Sequence, residues 1–180
     1  MPRSASCGFR NFHYCLRTGA AAPVALPGAI RLGREPNMEP IVITPNITGN
    51  PTEYTVGYRD KGMKLDLEIV SLPQSFLTDV LGYTIGSNGI IIENEHPIVH
   101  FALLYETQDT AGFAVRHSYM DCVCEKPKFD VTTLSNSFSI DTRKLSLVVN
   151  KDIFGVKCYK ESITAAQNET VFNNWFNRLW

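Results

Sequence analysis

The sequence has no long apolar run and no excess of charge of either sign. Its apolar stretches fall short of the roughly 18 consecutive residues that cross a bilayer, which excludes a membrane-spanning helix. The formal net charge of -1 lacks the basic excess of proteins that hold nucleic acid by its phosphates. Arg3, Arg10 and Arg17 interrupt the first 22 residues, so we expect no secretion signal there.

Cysteines are few, and their number is odd: Cys7, Cys15, Cys122, Cys124 and Cys158. This usage is typical of reduced thiols in a cytosolic protein and argues against a disulfide framework. Cys122 and Cys124 would emerge from one face of a strand, but a zinc site needs further Cys or His ligands at suitable spacing. We therefore predict two half-buried thiols and no metal site.

Motifs of catalysis are also missing. None of the four histidines, His13, His96, His100 and His117, stands in a motif that places a nucleophile or a carboxylate beside it. The sequence contains no nucleophile elbow, no glycine-rich phosphate loop and no dinucleotide fingerprint. We therefore predict neither an enzyme nor a bound cofactor.

The sequence does contain a series of apolar alternations separated by turn residues. In 63–69, Leu65, Leu67 and Ile69 alternate with charged residues, which predicts a strand with one buried and one wet face. Further strands are predicted at 8–16, 28–33, 90–92, 97–107, 112–125 and 138–150, with a hairpin loop at 108–111 and a loop at 126–136.

Two short helices are predicted. Ser71 is the candidate N-cap of the first, Pro73 suits its first turn, and Gly82 is placed to end it. Its apolar stripe would pack on a sheet face and consists of Phe76, Leu77, Val80 and Leu81. The second helix, 168–179, begins at a possible cap, Asn168, and has one apolar face formed by Val171, Phe172, Trp175, Phe176 and Leu179.

The segment 36–58 interrupts these elements and begins with four prolines in sixteen residues, Pro36, Pro40, Pro45 and Pro51. Such spacing predicts a long exposed loop or arm. The fold prediction is thus a single domain over 1–180, mainly antiparallel β, a sandwich or barrel with two short helices.

Taken in order, these elements resemble the major tail protein of phages and prophages of Gram-positive bacteria that have long, non-contractile tails. The resemblance rests on "SLPQSFLTDVLGYTIGSNGIIIENEHPIVHFALLYE", "FAVRHSYMDCVCEKPKF" and "FSIDTRKLSLVV". In that family a strand leads into a "(D/S)LP" helix ending near "LGY", then an "NG(V/I)" turn and a long strand. "NFHYCL", "ALPGAIRL" and "WFNRLW" also resemble the two ends of the family's chain. The run 122–124 departs from the family, where Tyr-Lys-Gly-like residues are expected, and 1–7 has no counterpart.

The resemblance implies a tail tube protein. Six copies of a β-sandwich with a flanking helix would close into a ring, and rings would stack into the hollow tube through which DNA is ejected. The implied partners are further copies of the chain, a tape-measure protein, a tail terminator and distal tail proteins. DNA would pass without specific binding, and neither a cofactor nor a membrane is implied. The implied location is the virion tail, after assembly in the host cytoplasm.

Two sets of residues are candidates for roles in such an assembly. Lys64, Asp66 and Glu68 form a mildly acidic strand face that would suit the lumen, because a basic lining would bind phosphates; a plain solvated face is the alternative. The aromatic C-terminal helix could pack within the subunit or against the next one. The interface candidates are Pro45, Asn46, Asn50, Pro51, Tyr54, Phe172, Trp175 and Phe176.

Two other classes of function stay open from the sequence. One is a tube subunit of a secretion or contractile injection machine. The other is a small β-sandwich module that binds a ligand or carbohydrate through exposed Tyr and Trp side chains.

Overall fold

The computed structural model describes residues 7–18, 21–43, 46–47, 50–51, 54–95, 97–127, 142–151, 155, 159–162 and 169–179. The strands in these ranges are β1 Cys7–Leu16, β2 Val24–Ala25, β3 Ala29–Ile43, β4 Asn46–Ile47, β5 Asn50–Pro51, β6 Tyr54–Ile69, β7 Thr84–Ile85, β8 Ile91–Ile92, β9 His100–Gln108, β10 Ala114–Cys124, β11 Arg143–Val149 and β12 Tyr159–Ser162. The helices are α1 Gln74–Asp79 and α2 Glu169–Asn173. The prediction of a mainly antiparallel β fold with two short helices is confirmed.

Most strands join one antiparallel sheet in the order β2-β1-β9-β10-β11-β6-β3, with β12 also paired to β10. Two small ribbons, β4–β5 and β7–β8, stand apart from it. Strand β10 changes neighbours along its length: residues 116–119 pair with β12, and 122–124 pair with β11. A bulge lies between Tyr119 and Cys122. Because a bulge bends its strand, the sheet turns there.

The turned sheet encloses one main core, to which strands far apart in the strand order contribute. Leu65 and Leu67 of β6 are buried in the same cluster as Tyr14 of β1 and Phe101 of β9. The alternation predicted for 63–69 is confirmed, since its odd-numbered residues enter this core. Strand β9 is buried on both faces, which explains why its apolar residues run on without alternation.

Helix α1 covers the open side of this core with Phe76, Val80 and Leu81, which are buried, and Leu77, which is half-buried. The helix is shorter than predicted. Ser71 is not its N-cap, because Pro73 occupies that position and no side chain caps the helix. Gly82 ends the helical segment with a φ of 73°, as predicted.

Pro36, Pro40 and Pro51 lie in strands and not in a loop. Residues 36–43 belong to β3 and residues 54–58 to β6, so the prediction of an irregular segment is wrong there. Pro36 and Pro40 are tolerated because β3 is an edge strand, which in the described part of the chain pairs only with β6. Pro51 lies in β5, and Pro45 lies outside the described residues.

The C-terminal helix is also shorter than predicted, since α2 ends at Asn173 and turns follow through Asn177. Strand β11 begins at Arg143, and the earlier part of the strand predicted at 138–150 lies outside the described residues, as do Asn168 and most of the predicted loop at 126–136. No helix in the described ranges has the length and apolar character to cross a membrane.

Candidate assembly surfaces

The far half of the β3–β6 hairpin extends beyond the rest of the sheet. Strand β11 pairs with β6 only from Met63 to Ile69, so residues 36–43 and 54–62 form a two-stranded ribbon with no third strand among the described residues. The short ribbon β4–β5 follows β3 and precedes β6 along the chain. We call residues 36–62 the arm.

The arm has one apolar face, which is the continuation of the core side of β3. Side chains alternate along a strand, so Met38, Pro40 and Val42 lie on the same side as buried Leu32. Tyr58 lies opposite Pro40 across the ribbon and is 65% exposed. The buried side chains of the core stop where the rest of the sheet stops. The alternation of apolar side chains along β3 continues beyond that point.

The other face of the arm carries most of its charges together with exposed Ile41, which alternates with Glu39 along β3. Glu39 lies opposite Arg59, and its carboxylate is 2.8 Å from Lys61 Nζ. Its hydrogen bond with Lys61 lowers the pKa of Glu39. The face of Met38, Pro40 and Val42 is the more apolar of the two, although Asp60 lies opposite Met38, and the described residues leave it exposed.

The base of the arm is fixed by a bulge. Gly62 has a φ of 111°, and a Cβ at this position would lie 2.3 Å from the carbonyl oxygen of Val149. The Gly62 amide donates to Asp60 Oδ1 at 3.0 Å, and Lys151 Nζ lies 3.6 Å from the same oxygen. These contacts set the direction in which the arm leaves the sheet.

Strand β3 is also the longest strand at the edge of the sheet. Within the described residues its backbone pairs with β6 on one side only. A row of unpaired N–H and C=O groups is a template for another strand. Pro36 and Pro40 supply no N–H, so the stretch before them, 29–35, is the better template.

The predicted interface residues of the arm lie near its tip. Asn46 is in β4, Asn50 and Pro51 are in β5, and Tyr54 begins β6. Their backbones are described but their side chains are not, and Pro45 is outside the described residues altogether. The structure thus brings Asn46, Asn50, Pro51 and Tyr54 into one region without defining their side-chain contacts.

The predicted interface residues of the C-terminal helix lie elsewhere. Phe172 and Trp175, predicted as interface candidates, instead contribute to the core of their own chain. Trp175 is 3% exposed, packs against Ala102 and Leu104, and donates from Nε1 to the His117 carbonyl at 3.2 Å. The reason is that β9 is apolar on both faces, and the C-terminal segment covers the face turned away from α1. Trp175 is therefore not an exposed ring for a carbohydrate.

The same segment covers an ion-pair network that the sequence analysis missed. Glu106 is 3% exposed and contacts Arg10 Nε at 2.5 Å and Arg116 Nε at 2.9 Å. The Arg116 guanidinium lies 3.9 Å from the ring centroid of Phe172, and it also donates to the Phe172 carbonyl. Half-buried Phe176 places its ring 4.7 Å from His13. The signal in the sequence was a lone carboxylate, Glu106, inside an apolar strand.

The three lumen candidates lie together on the outer face of β6. Asp66 bonds to Lys144 at 2.8 Å and accepts from Ser146 at 3.2 Å, and the hydrogen bond with Lys144 lowers the pKa of Asp66. Glu68 lies 3.5 Å from Arg31. The surrounding face has one more negative than positive side chain and contains Arg31, Lys64, Lys144, Glu35, Asp66, Glu68 and Glu125.

The remaining candidates from the sequence have local partners. His100 Nδ1 lies 2.6 Å from Asp121 Oδ1, and His117 Nε2 lies 2.8 Å from Thr107 Oγ1. Cys122 and Cys124 are fully buried, so the prediction of half-buried thiols is wrong. Burial raises the pKa of Cys124 to about 12. The described ranges contain no group of three or more His, Cys, Asp or Glu side chains arranged to hold a metal.

A second exposed apolar surface follows α1. The ribbon β7–β8 pairs Ile85 with Ile91 and Thr84 with Ile92, and the described residues leave these isoleucines roughly half exposed. We call residues 84–98 the isoleucine ribbon. Its exposed apolar side chains are Ile85, Ile90, Ile91, Ile92 and Ile98, the last of which is 79% exposed. The strand predicted at 90–92 corresponds to β8, and the strand predicted at 97–107 begins only at His100, so Ile98 lies outside it.

A comparison with protein-family models finds no match, and a comparison with curated proteins finds none either. Among solved structures, the chain is similar to a chain of the anti-feeding prophage cap, described as the AFP tube terminating cap, with 13% identity and a TM-score of 0.38. It is also similar to a chain of the sheath–tube complex of an extracellular contractile injection system, PVC, in the extended state, with 12% identity and a TM-score of 0.39. Each match covers 86% of this chain and 89% of the other. Identities and TM-scores this low do not support a conclusion about function.

Proposed function

We propose that this chain is a structural subunit of a phage-like tail tube. Copies close into rings, six to a ring, and the rings stack into a hollow conduit for DNA ejection. The ring and the conduit are what the resemblance to major tail proteins of phages and prophages with long, non-contractile tails implies. The observation that carries the proposal is the arm, whose more apolar face is left exposed by the described residues of the chain.

An uncovered apolar face of this kind favours association. Monomeric proteins rarely expose contiguous apolar patches, and larger ones mark interaction sites. Among the described residues, the two strands of the arm are already paired in the single chain, from Met38 with Asp60 to Ile43 with Tyr54. Pre-organisation of this kind lowers the entropic cost of association.

The open edge of β3 supplies the sideways contact within a ring. In a closed ring each such edge pairs with a neighbouring copy, so that no edge remains to recruit further chains at random. The stretch 29–35 of β3 is free of proline and offers both donors and acceptors.

The outer face around Lys64, Asp66 and Glu68 lines the bore in this proposal. Its charges are mixed and nearly balanced, so it would not hold the phosphates of passing DNA. The role is structural and not enzymatic, and the place is the virion tail. The partners that go with this role are a tape-measure protein, a tail terminator and distal tail proteins.

Negative-stain electron microscopy of concentrated protein, combined with sedimentation velocity, tests the proposal. We expect rings with an open centre, and tubes made of stacked rings. Single particles of one chain at every concentration and ionic strength would overturn it. Particles purified with a sheath around the tube would assign the chain to a contractile injection machine, which was the alternative.

A further inference from the structure

We propose that the isoleucine ribbon is the docking surface for the arm of a second copy of this chain, so that copies contact one another head to tail. This inference rests on the proposed assembly and identifies the surface that receives the arm. Both surfaces are exposed two-stranded ribbons rich in apolar side chains, and neither is covered by the described part of the chain that bears it.

The two surfaces lie towards opposite ends of the β3–β6 hairpin. The β3–β6 hairpin runs from the pair Ala29 and Ile69 to the pair Ile43 and Tyr54 at the arm. Helix α1 follows directly after Ile69, and the isoleucine ribbon follows α1. At about 3.3 Å per strand residue, the eleven residues from Tyr58 to Ile69 span at most about 36 Å along β6.

Local contacts keep the isoleucine ribbon at its end of the molecule. Glu93 of the ribbon pairs with Lys126 at 2.5 Å, and the Asn94 amide donates to the Gly82 carbonyl at 3.1 Å. A contact between two different surfaces of one chain is heterologous and repeats from copy to copy. One such contact covers the arm of one copy and the ribbon of the next, and then repeats along a stack.

The exposed area reaches at most the lower limit for a specific interface. The exposed apolar side chains are roughly half covered, and aromatic side chains, which are larger than most of these, bury on the order of 200 Å² each. Five on each surface therefore leave at most about 1,000 Å² in total, the smallest area expected of a specific interface. The five of the arm are Met38, Pro40, Val42, Tyr58 and Val56, which is the bulged residue beside Val42.

The test is the double variant Ile91→Ser with Ile92→Ser, examined by negative-stain microscopy and by urea unfolding. Both side chains are about half exposed, so we expect only a small loss of stability, ring formation as in the parent chain, and tubes at least tenfold shorter. The control is Phe113→Ser, which removes a more exposed apolar side chain from the β9–β10 loop and should leave tube length unchanged. Tubes of parent length from the double variant would overturn the inference and leave the proposed function standing. A parent chain that forms no rings would overturn both.

Cross-linking gives a second readout that does not depend on tube length. In a chain with Cys7→Ser and Cys158→Ser, the pair Tyr58→Cys and Ile91→Cys should give a ladder of covalent multimers with a short bismaleimide. The matched pair Tyr58→Cys and Phe113→Cys should give no ladder. Tubes that form normally but yield no ladder from the first pair would contradict head-to-tail docking.

Discussion

Gly62 is the single residue that fixes where the arm leaves the sheet. Its φ of 111° is strained for any residue with a side chain, and a Cβ there would overlap the Val149 carbonyl oxygen at 2.3 Å. We expect Gly62→Ala to lower the free energy of unfolding by about 2 kcal/mol, because strained non-glycine backbone costs roughly 1–3 kcal/mol.

Urea unfolding of Gly62→Ala beside Gly57→Ala separates this strain from a general effect of alanine in the arm. Gly57 has no positive φ, and its added Cβ would lie 4.0 Å from the Ile41 side chain. Gly57→Ala should therefore be nearly neutral. Equal losses in the two variants would rule out the bulge as the cause.

Tyr14 joins β1 to α1 through one hydrogen bond. Its hydroxyl donates to Asp79 Oδ2 at 2.9 Å from a fully buried ring. We expect Tyr14→Phe to cost about 1.5 kcal/mol at pH 8, since a hydrogen bond to a charged acceptor contributes roughly 1.5–3 kcal/mol. Tyr58→Phe, at an exposed ring in the arm, is the matched control and should change nothing.

Tyr14 also makes the free energy of unfolding depend on pH. Burial, with the Asp79 carboxylate adding to it, raises the pKa of Tyr14 to about 12 from its usual value near 10. The folded chain therefore holds this proton more tightly than the unfolded chain does. Its stabilisation is complete below pH 10 and is lost as the pH rises towards 12. The difference in unfolding free energy between the parent and Tyr14→Phe should shrink over that window, and a constant difference would contradict the assignment.

At the scale of elements, the C-terminal segment acts as a cover for β9. Trp175 fills the space above Ala102 and Leu104, and its indole N–H is satisfied by the His117 carbonyl. We expect Trp175→Ala to cost about 3–5 kcal/mol in urea unfolding, as for other large-to-small changes at buried rings. Phe113→Ala should cost far less, because that ring is exposed. Loss of tubes from Trp175→Ala at unchanged monomer stability would show that this ring is an interface residue after all.

Local sequence patterns predicted those elements whose residue spacing does not depend on which strand or helix they pack against. The alternation in 63–69 and the stripe around Phe76 depend only on spacing, and both are confirmed. The prolines of β3 misled the prediction, because Pro36 and Pro40 are compatible with a strand only when it lies at a sheet edge, and edge position is a property of the whole sheet.

Contacts between distant residues escaped the sequence analysis for the same reason. Arg10 and Glu106 are separated by 96 positions, and nothing local marks them as a pair. The sequence predicts Trp175 as a residue that contacts a neighbouring subunit. Its burial within the chain follows from β9 being apolar on both faces, which the sequence near Trp175 does not show. The isoleucine ribbon was missed because a short β-branched run is typical of a buried strand as well as an exposed one.

At the scale of the whole molecule, contacts within a ring and contacts between rings would use different parts of the chain. The edge of β3 before Pro36 is suited to backbone pairing in the plane of a ring. From Pro36 onward the edge lacks the backbone N–H donors of two positions, Pro36 and Pro40. The apolar face of the arm is therefore better suited to side-chain packing along a stack. Rings and stacks would then depend on different residues, and a substitution at one surface should spare the other.

Ile30 provides the test of this separation. It is exposed in the proline-free part of the β3 edge, where a lysine would oppose strand addition, as charged side chains do on natural edges. We expect Ile30→Lys to remain folded in urea unfolding and to form no rings, by sedimentation velocity and negative-stain microscopy, under conditions where the parent forms them. Val70→Lys, an exposed apolar position just after β6, is the matched control and should assemble like the parent. Rings of normal size from Ile30→Lys would place the sideways contact on a surface other than this edge, while the arm and the isoleucine ribbon would keep their proposed roles along the stack.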